Sequence, residues 1–270
     1  MRMTVNGLHP DGTIAREGGL DRVPAAFRSV VDAARIEVTS GFGADRLHSA
    51  YLYGSIPRGT AIPRVSDLDV LLAFRDEPGD ADHARVRAME DALDQRFEQV
   101  NGVGILLCST DKLLSDLERY DLGFFVACLC TSWIGDDLAA RLPAYRPTSL
   151  LARETNGDLD LALVRWSRQA AEATTSTDVE ALTRGIGRRP VRTGFTLIMP
   201  RWGGWTSDIR QAAELFGTYY PHRAAQMAIA AVVARQPSAD LSVAEMLIDD
   251  LGRWLADEYV AVHGKKAPRP

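Results

Sequence analysis

The sequence predicts an α/β domain, a small mixed sheet with flanking helices, followed by an α-helical C-terminal domain. Over residues 23–110, stretches with apolar residues at helical spacing alternate with short continuous apolar runs. Beyond Thr110 the pattern turns mostly helical. Pro143, Pro147 and the polar stretch 153–158 suggest a linker, with the boundary between 140 and 155. The expected organisation is a flexible N-terminus over 1–22, the α/β domain over 23–145, the helical domain over 155–262 and a tail over 263–270.

Phe27, Val30, Val31, Ala34 and Val38 recur at helical spacing, which predicts an amphipathic helix over 23–40 that Gly41 and Gly43 end. Ser49–Tyr53 reads as a short strand stopping at Gly54-Ser55. Residues 56–66 hold two prolines and Gly59 with no apolar period, and so predict a loop. Val70–Phe74 is a continuous apolar run, as in a strand covered on both faces. A turn at 76–80 leads to a helix with Val86, Met89, Leu93 and Phe97 on one side, then to a strand over Val103–Cys108. Later helices are expected at 159–172, 178–199, 208–217, 222–235 and 242–261, with Pro190 interrupting the second. The last residues, from Lys265, read as a frayed tail.

Lys plus Arg is 31 and Asp plus Glu is 36, a formal charge of −5. That balance argues against broad binding to a nucleic-acid backbone, which needs a surplus of cations. Cys108, Cys128 and Cys130 have no partner pair at zinc-site spacing and read as buried, inert thiols. No basic segment followed by an apolar run opens the chain, and no apolar stretch approaches the ~20 residues of a membrane span. A cytoplasmic protein without membrane association is expected.

The chemistry concentrates in Tyr51–Leu72, YLYGSIPRGTAIPRVSDLDVLL. A strand delivers Gly54-Ser55 to a turn, where glycine lets a phosphate approach the backbone and serine offers a hydroxyl and an N–H. Asp67-Leu68-Asp69 heads the next strand, and residues two apart on a strand share a side. Asp67 and Asp69 therefore project together while Leu68 faces packing. Two adjacent carboxylates repel unless a cation lies between them, and hard oxygen ligands suit Mg²⁺. The arrangement predicts Asp67 and Asp69 as catalytic metal ligands and Gly54 and Ser55 as the phosphate side of the site. Arg58, between them, reads by itself as a solvated loop residue. No His lies near Ser55 and Gly-Ser-Ile-Pro is no nucleophile elbow, so a hydrolase is not expected.

Gly54-Ser55, Arg58-Gly59 and Ser66-Asp67-Leu68-Asp69 together resemble the signature of the DNA polymerase β-type nucleotidyltransferase superfamily, in particular its bacterial aminoglycoside and other antibiotic nucleotidyltransferases. The resemblance covers residues 25–110. It implies that Ser55 holds a triphosphate, that Asp67 and Asp69 bind two Mg²⁺ ions, and that Arg58 touches phosphate. It also implies a nucleotidyltransferase fold for the N-terminal domain and an active site between it and the helical domain. The reaction implied is transfer of AMP from ATP, or of another nucleoside monophosphate, to a hydroxyl of a small-molecule acceptor with release of pyrophosphate. An aminoglycoside-like antibiotic is the first such acceptor, which would make the protein a resistance enzyme, and the net acidity would favour a cationic one. Nucleic acid is not the expected partner, although a tRNA end or a protein side chain, as in nucleotidyltransferase toxins, stays open as an alternative acceptor. A non-catalytic nucleotide-binding regulator is the alternative from another class.

The pattern departs from that family at one point. A third carboxylate is expected on the strand after Asp69, but the aligned position is Gly102, preceded by Asn101. Glu98, or Glu154, Asp158, Asp160 or Asp208 from the helical domain, are the acids available to replace it. In the second domain, Arg184–Asp208 combines Arg184, Arg188, Arg189, Arg192 and Arg201 with Trp202 and Trp205 around Gly203-Gly204. Such a stretch suits base stacking or a phosphate clamp as well as a packed surface turn, with Thr206 or Ser207 capping the helix that follows.

Overall fold

The computed structural model describes residues 6–269. The chain divides into two compact units: Ala15–Tyr145, and the residues before Ala15 joined to those from Arg146 onward. The first is a mixed α/β unit with a small four-stranded sheet and the second is helical.

In the α/β unit the order is α1 (Arg28–Gly41), β1 (Leu47–Tyr53), α2 (Ser55–Arg58), β2 (Leu68–Phe74), α3 (Asp80–Arg96), β3 (Val103–Ser109), α4 (Thr110–Leu114), α5 (Leu122–Phe124) and β4 (Cys130–Gly135). The sheet runs β3-β2-β1-β4. β1 pairs antiparallel with β2 and β4, while β2 and β3 are parallel and joined through α3. Alternation sorts the strand residues onto two faces. Ala50, Leu52, Leu68, Val70, Leu72 and Phe74 pack with Val30, Val31, Ala34 and Val38 of α1 and Val86, Met89 and Leu93 of α3. Tyr51, Leu71 and Ala73 pack on the other side with Cys108, Leu113, Val126, Cys130 and Leu138. Burial of each large apolar side chain here contributes roughly 1.5–3 kcal/mol.

α3 also protects the open edge of β3. Glu90 Oε1 accepts the Ile105 N–H at 2.7 Å, and the Asp94 carboxylate accepts the Val103 N–H. These two outward amides are thus covered, which blunts pairing with another chain along the first half of the strand.

β4 lies in a stretch whose pattern was expected to be mostly helical. The run Cys128–Ile134 holds Thr131-Ser132 among apolar residues and has no clean alternation, so it fits either state. A π-helical turn over Phe125–Leu129 ends at Cys130, and the chain then pairs with β1. The predicted loop 56–66 opens with the helical turn α2, closed by Gly59 in the left-handed region (φ 78°). The three cysteines are buried and unpaired by disulfides, and burial pushes the thiols of Cys108 and Cys128 up to about 11 and about 12.

The helical unit contains α6 (Ser149–Asn156), α7 (Leu159–Glu172), α8 (Ser176–Trp202), α9 (Ile209–Tyr219), α10 (Ala224–Val233), α11 (Leu241–Glu245), a π-helical turn at Met246–Gly252, and α12 (Arg253–His263). The stretch 153–158, expected as a linker, instead ends α6 and opens α7, so the boundary between units falls after Tyr145. Pro190 does not interrupt α8. A proline inside a helix costs ~3 kcal/mol, but α8 is the central element and buries Ile186, Val191, Phe195, Leu197, Ile198 and Met199 against its neighbours, which offsets the local loss. Trp205 is buried, its ring 5.7 Å from Phe195, and Arg201 lies over Tyr219. The Arg-Trp stretch therefore contributes packing at these positions, and Asp208, rather than Thr206 or Ser207, caps α9 by accepting the Gln211 N–H at 2.8 Å.

Both ends are more tied down than expected. The described part of 1–22 is shared between the units: Leu8 bridges Ile14, and Trp205 N–H donates to Asn6 O at 2.8 Å, whereas Arg16 pairs with Asp137 and Gly19 N–H donates to Pro57 O. Residues 1–5 lie outside the described residues. In the tail, Lys266 pairs with Asp158 at 3.1 Å and Arg269 with Glu154 at 3.3 Å; residue 270 is outside the description.

Leu72 has no exposed surface and sits on a strand paired on both sides. Leu72→Ala is expected to lower stability by ~2–5 kcal/mol in urea unfolding; a loss below ~1 kcal/mol would contradict this core.

Candidate metal and nucleotide site

Asp67 and Asp69 flank Leu68 at the head of β2. Leu68 is fully buried in the α1/α3 core, while both aspartates are half-buried on the other side. The sheet register fixes their neighbours. Asp69 stands opposite Tyr53 of β1 and Gly104 of β3, and Leu68 N–H donates to Gly102 O at 2.8 Å. Asn101 Nδ2 donates to Asp67 Oδ1 at 3.1 Å, and Asn101 N–H donates to Ser66 O at 3.1 Å. Asp67 is thereby held by side chain and backbone from the turn before β3.

Three glycines surround the carboxylates. Gly54 ends β1 with φ 80° and ψ −152°, a conformation L side chains rarely adopt, and a Cβ there would overlap Asp69 Oδ2. A Cβ on Gly102 would lie 3.6 Å from Asp67 Oδ1, and one on Gly104 3.9 Å from Asp69 Oδ1. The two carboxylates thus stand on adjacent same-side positions with only backbone at these three neighbours. Like charges so placed raise each other's energy unless a cation neutralises them.

Ser55 begins α2 directly after Gly54, and its carbonyl accepts the Thr60 N–H at 3.0 Å, which closes the turn. Arg58, at the end of that turn, pairs with Glu17 at 3.4 Å. A phosphate would have to compete with Glu17 for this guanidinium. Thus Gly54, Ser55, Asp67 and Asp69 converge at the ends of β1 and β2, and Arg58 is engaged elsewhere.

Gly102, aligned by sequence with a third carboxylate, is displaced by register: the residue beside Asp69 is Gly104. Neither supplies an acid. Glu98 is exposed and pairs with Arg64 at 3.6 Å. Of the acids named in the helical domain, Glu154 pairs with Arg153 and Arg269, Asp158 with Arg189 and Lys266, and Asp208 caps α9. Among the described residues no group of three or more His, Cys, Asp or Glu is arranged to hold a metal ion. Two carboxylates still fit a Mg²⁺ ion that keeps waters and shares substrate phosphates, because that ion uses one or two carboxylates in such sites.

No protein-family model matches the chain, and no curated protein matches it.

Asp94 is the acid that sequence reasoning missed. Burial raises its carboxyl above the usual range, the Val103 N–H partly offsets this, and the charges of Asp91 and Asp67 push it further up. Nothing in its residue type or spacing separates it from the other polar positions of α3, so the sequence carries no signal for it.

Gly54→Ala forces a strained φ and an overlap with Asp69. It is expected to cost ~1–3 kcal/mol of stability, measured by thermal unfolding; a variant as stable as the parent would contradict the cradle.

Proposed function

We propose that the protein is a Mg²⁺-dependent nucleotidyltransferase that moves a nucleoside monophosphate from a nucleoside triphosphate to a hydroxyl and releases pyrophosphate. The observation that carries this reading is the pair Asp67 and Asp69, held side by side on β2 next to Gly54-Ser55. Magnesium bound there would neutralise the triphosphate and polarise the phosphorus under attack. Asp67, fixed by Asn101, and Asp69, beside Gly54, would hold the metal. Ser55 and the backbone at Gly54 would offer the triphosphate a hydroxyl and N–H donors. The work of the protein is positioning and charge neutralisation. With no acid at Gly102 or Gly104 to take the acceptor's proton, the acceptor is expected to bring its own base. A small-molecule hydroxyl, such as that of an aminoglycoside-like compound, is the acceptor class that the sequence resemblance favours, and AMP is the first group to test.

The reading is tested by incubating the protein with each α-labelled triphosphate, Mg²⁺ and a panel of hydroxyl acceptors while following pyrophosphate. Asp67→Asn and Asp69→Asn should each lower release by at least ~10²–10³-fold without changing the circular dichroism. Full release from either variant, or tight nucleotide binding without release from the parent, would falsify the enzyme reading. Asn101→Ala removes the outer contact to Asp67. It should weaken Mn²⁺ binding, read by isothermal titration, by ~10–100-fold, and unchanged affinity would remove Asn101 from the site.

A further inference from the structure

Ser149 and His263 are 114 residues apart in sequence, yet Ser149 Oγ lies 2.7 Å from His263 Nδ1. The other ring nitrogen, Nε2, lies 3.0 Å from the Leu197 carbonyl oxygen. A carbonyl oxygen only accepts, so Nε2 carries the proton and Nδ1 presents its lone pair to the serine hydroxyl. Ser149 then donates into Nδ1. The ring is itself fixed, since His263 is buried against Tyr259 with ring centroids 5.0 Å apart. Ser149, by contrast, is exposed at the first residue of α6. This is the arrangement of an activated hydroxyl: nucleophile outside, base behind it, and a third group orienting the base. Burial holds the His263 ring below the ordinary imidazole range, which leaves it neutral and able to accept. In the first turn of α6, Thr148 Oγ1 already takes the Leu151 N–H, while the amides of Ser149 and Leu150 precede the first intrahelical bond and point toward the hydroxyl's end of the helix.

We propose that Ser149 is a histidine-activated modification site that attacks phosphorus electrophiles, and that its natural donor is a nucleoside triphosphate. The donor rests on the nucleotidyl-transfer reading above. In the step, Ser149 Oγ forms a bond to the α-phosphorus and the bond from that phosphorus to the bridging oxygen breaks. The electron pair leaves with pyrophosphate, and the serine proton passes to His263 Nδ1 and then to solvent. The product is a nucleotidyl ester of Ser149.

Two arms separate this inference from the function on which it rests. A biotinylated alkyl fluorophosphonate, which needs no metal site, should label Ser149 in the parent and in Asp67→Asn. Ser149→Ala should take no label at that peptide, and His263→Gln, which keeps an N–H for Leu197, should react at least ~10²-fold more slowly. Circular dichroism of each variant guards against simple unfolding. No label on Ser149, or an equal rate in His263→Gln, overturns the activated hydroxyl. In the second arm the parent is incubated with Mg²⁺ and each triphosphate, and the Ser149 peptide is weighed. A nucleotidyl adduct there, absent from Asp69→Asn, supports the donor. Pyrophosphate release onto added acceptors with Ser149 unmodified overturns the donor alone. Fluorophosphonate labelling without any triphosphate turnover overturns the nucleotidyl-transfer reading and leaves the activated serine standing.

Discussion

Everything at the candidate site follows from holding two like charges on the same side of one strand. β2 can do this because its alternate residues, Leu68, Val70 and Leu72, are buried completely in the α1/α3 core. A slip of one residue would turn both aspartates into that core and Leu68 out of it. The hydrophobic face thus fixes where the carboxylates stand. Their mutual repulsion is a standing cost, which the Asn101 contact eases on one oxygen and which a divalent cation would relieve. Gly54 belongs to the same constraint. A side chain there would collide with Asp69, whereas a Cβ at Gly102 or Gly104 would only touch a carboxylate oxygen.

The same sheet shows why Asp94 is a different kind of acid. It accepts an outward amide of β3, as Glu90 does two residues further along that strand. Its role in covering the sheet edge accounts for its position without any ligand. In the helical unit, α8 is the corresponding organiser. It is long, tolerates Pro190 and Pro200, and has six other helices packed along it. The acids once available to complete the metal site are mostly committed there to arginine and lysine partners within the unit.

Much of the α/β unit could be read from the sequence because its signals are local. Asp67-Leu68-Asp69 announces its own geometry through the two-residue period, and α1, β1, β2, α3 and β3 each carry a run or an apolar stripe long enough to identify. β4 does not, because Cys128–Ile134 is short, lacks clean alternation and acquires its state from pairing with β1. The residue beside Asp69 on β3, Gly104, is set by register, which is a property of two strands and not of one. The tie between Ser149 and His263 leaves no trace in spacing at all. Arg58 illustrates the converse: its residue type suits phosphate, but Glu17, from a segment expected to be flexible, already faces it.

The most direct measurement is anomalous diffraction from crystals grown with Mn²⁺ and a triphosphate whose α,β-bridge cannot be cleaved. The account predicts a manganese peak between the carboxylates of Asp67 and Asp69, with the triphosphate reaching the Ser55 hydroxyl. Manganese bound elsewhere, or a triphosphate that avoids Gly54-Ser55, would contradict it.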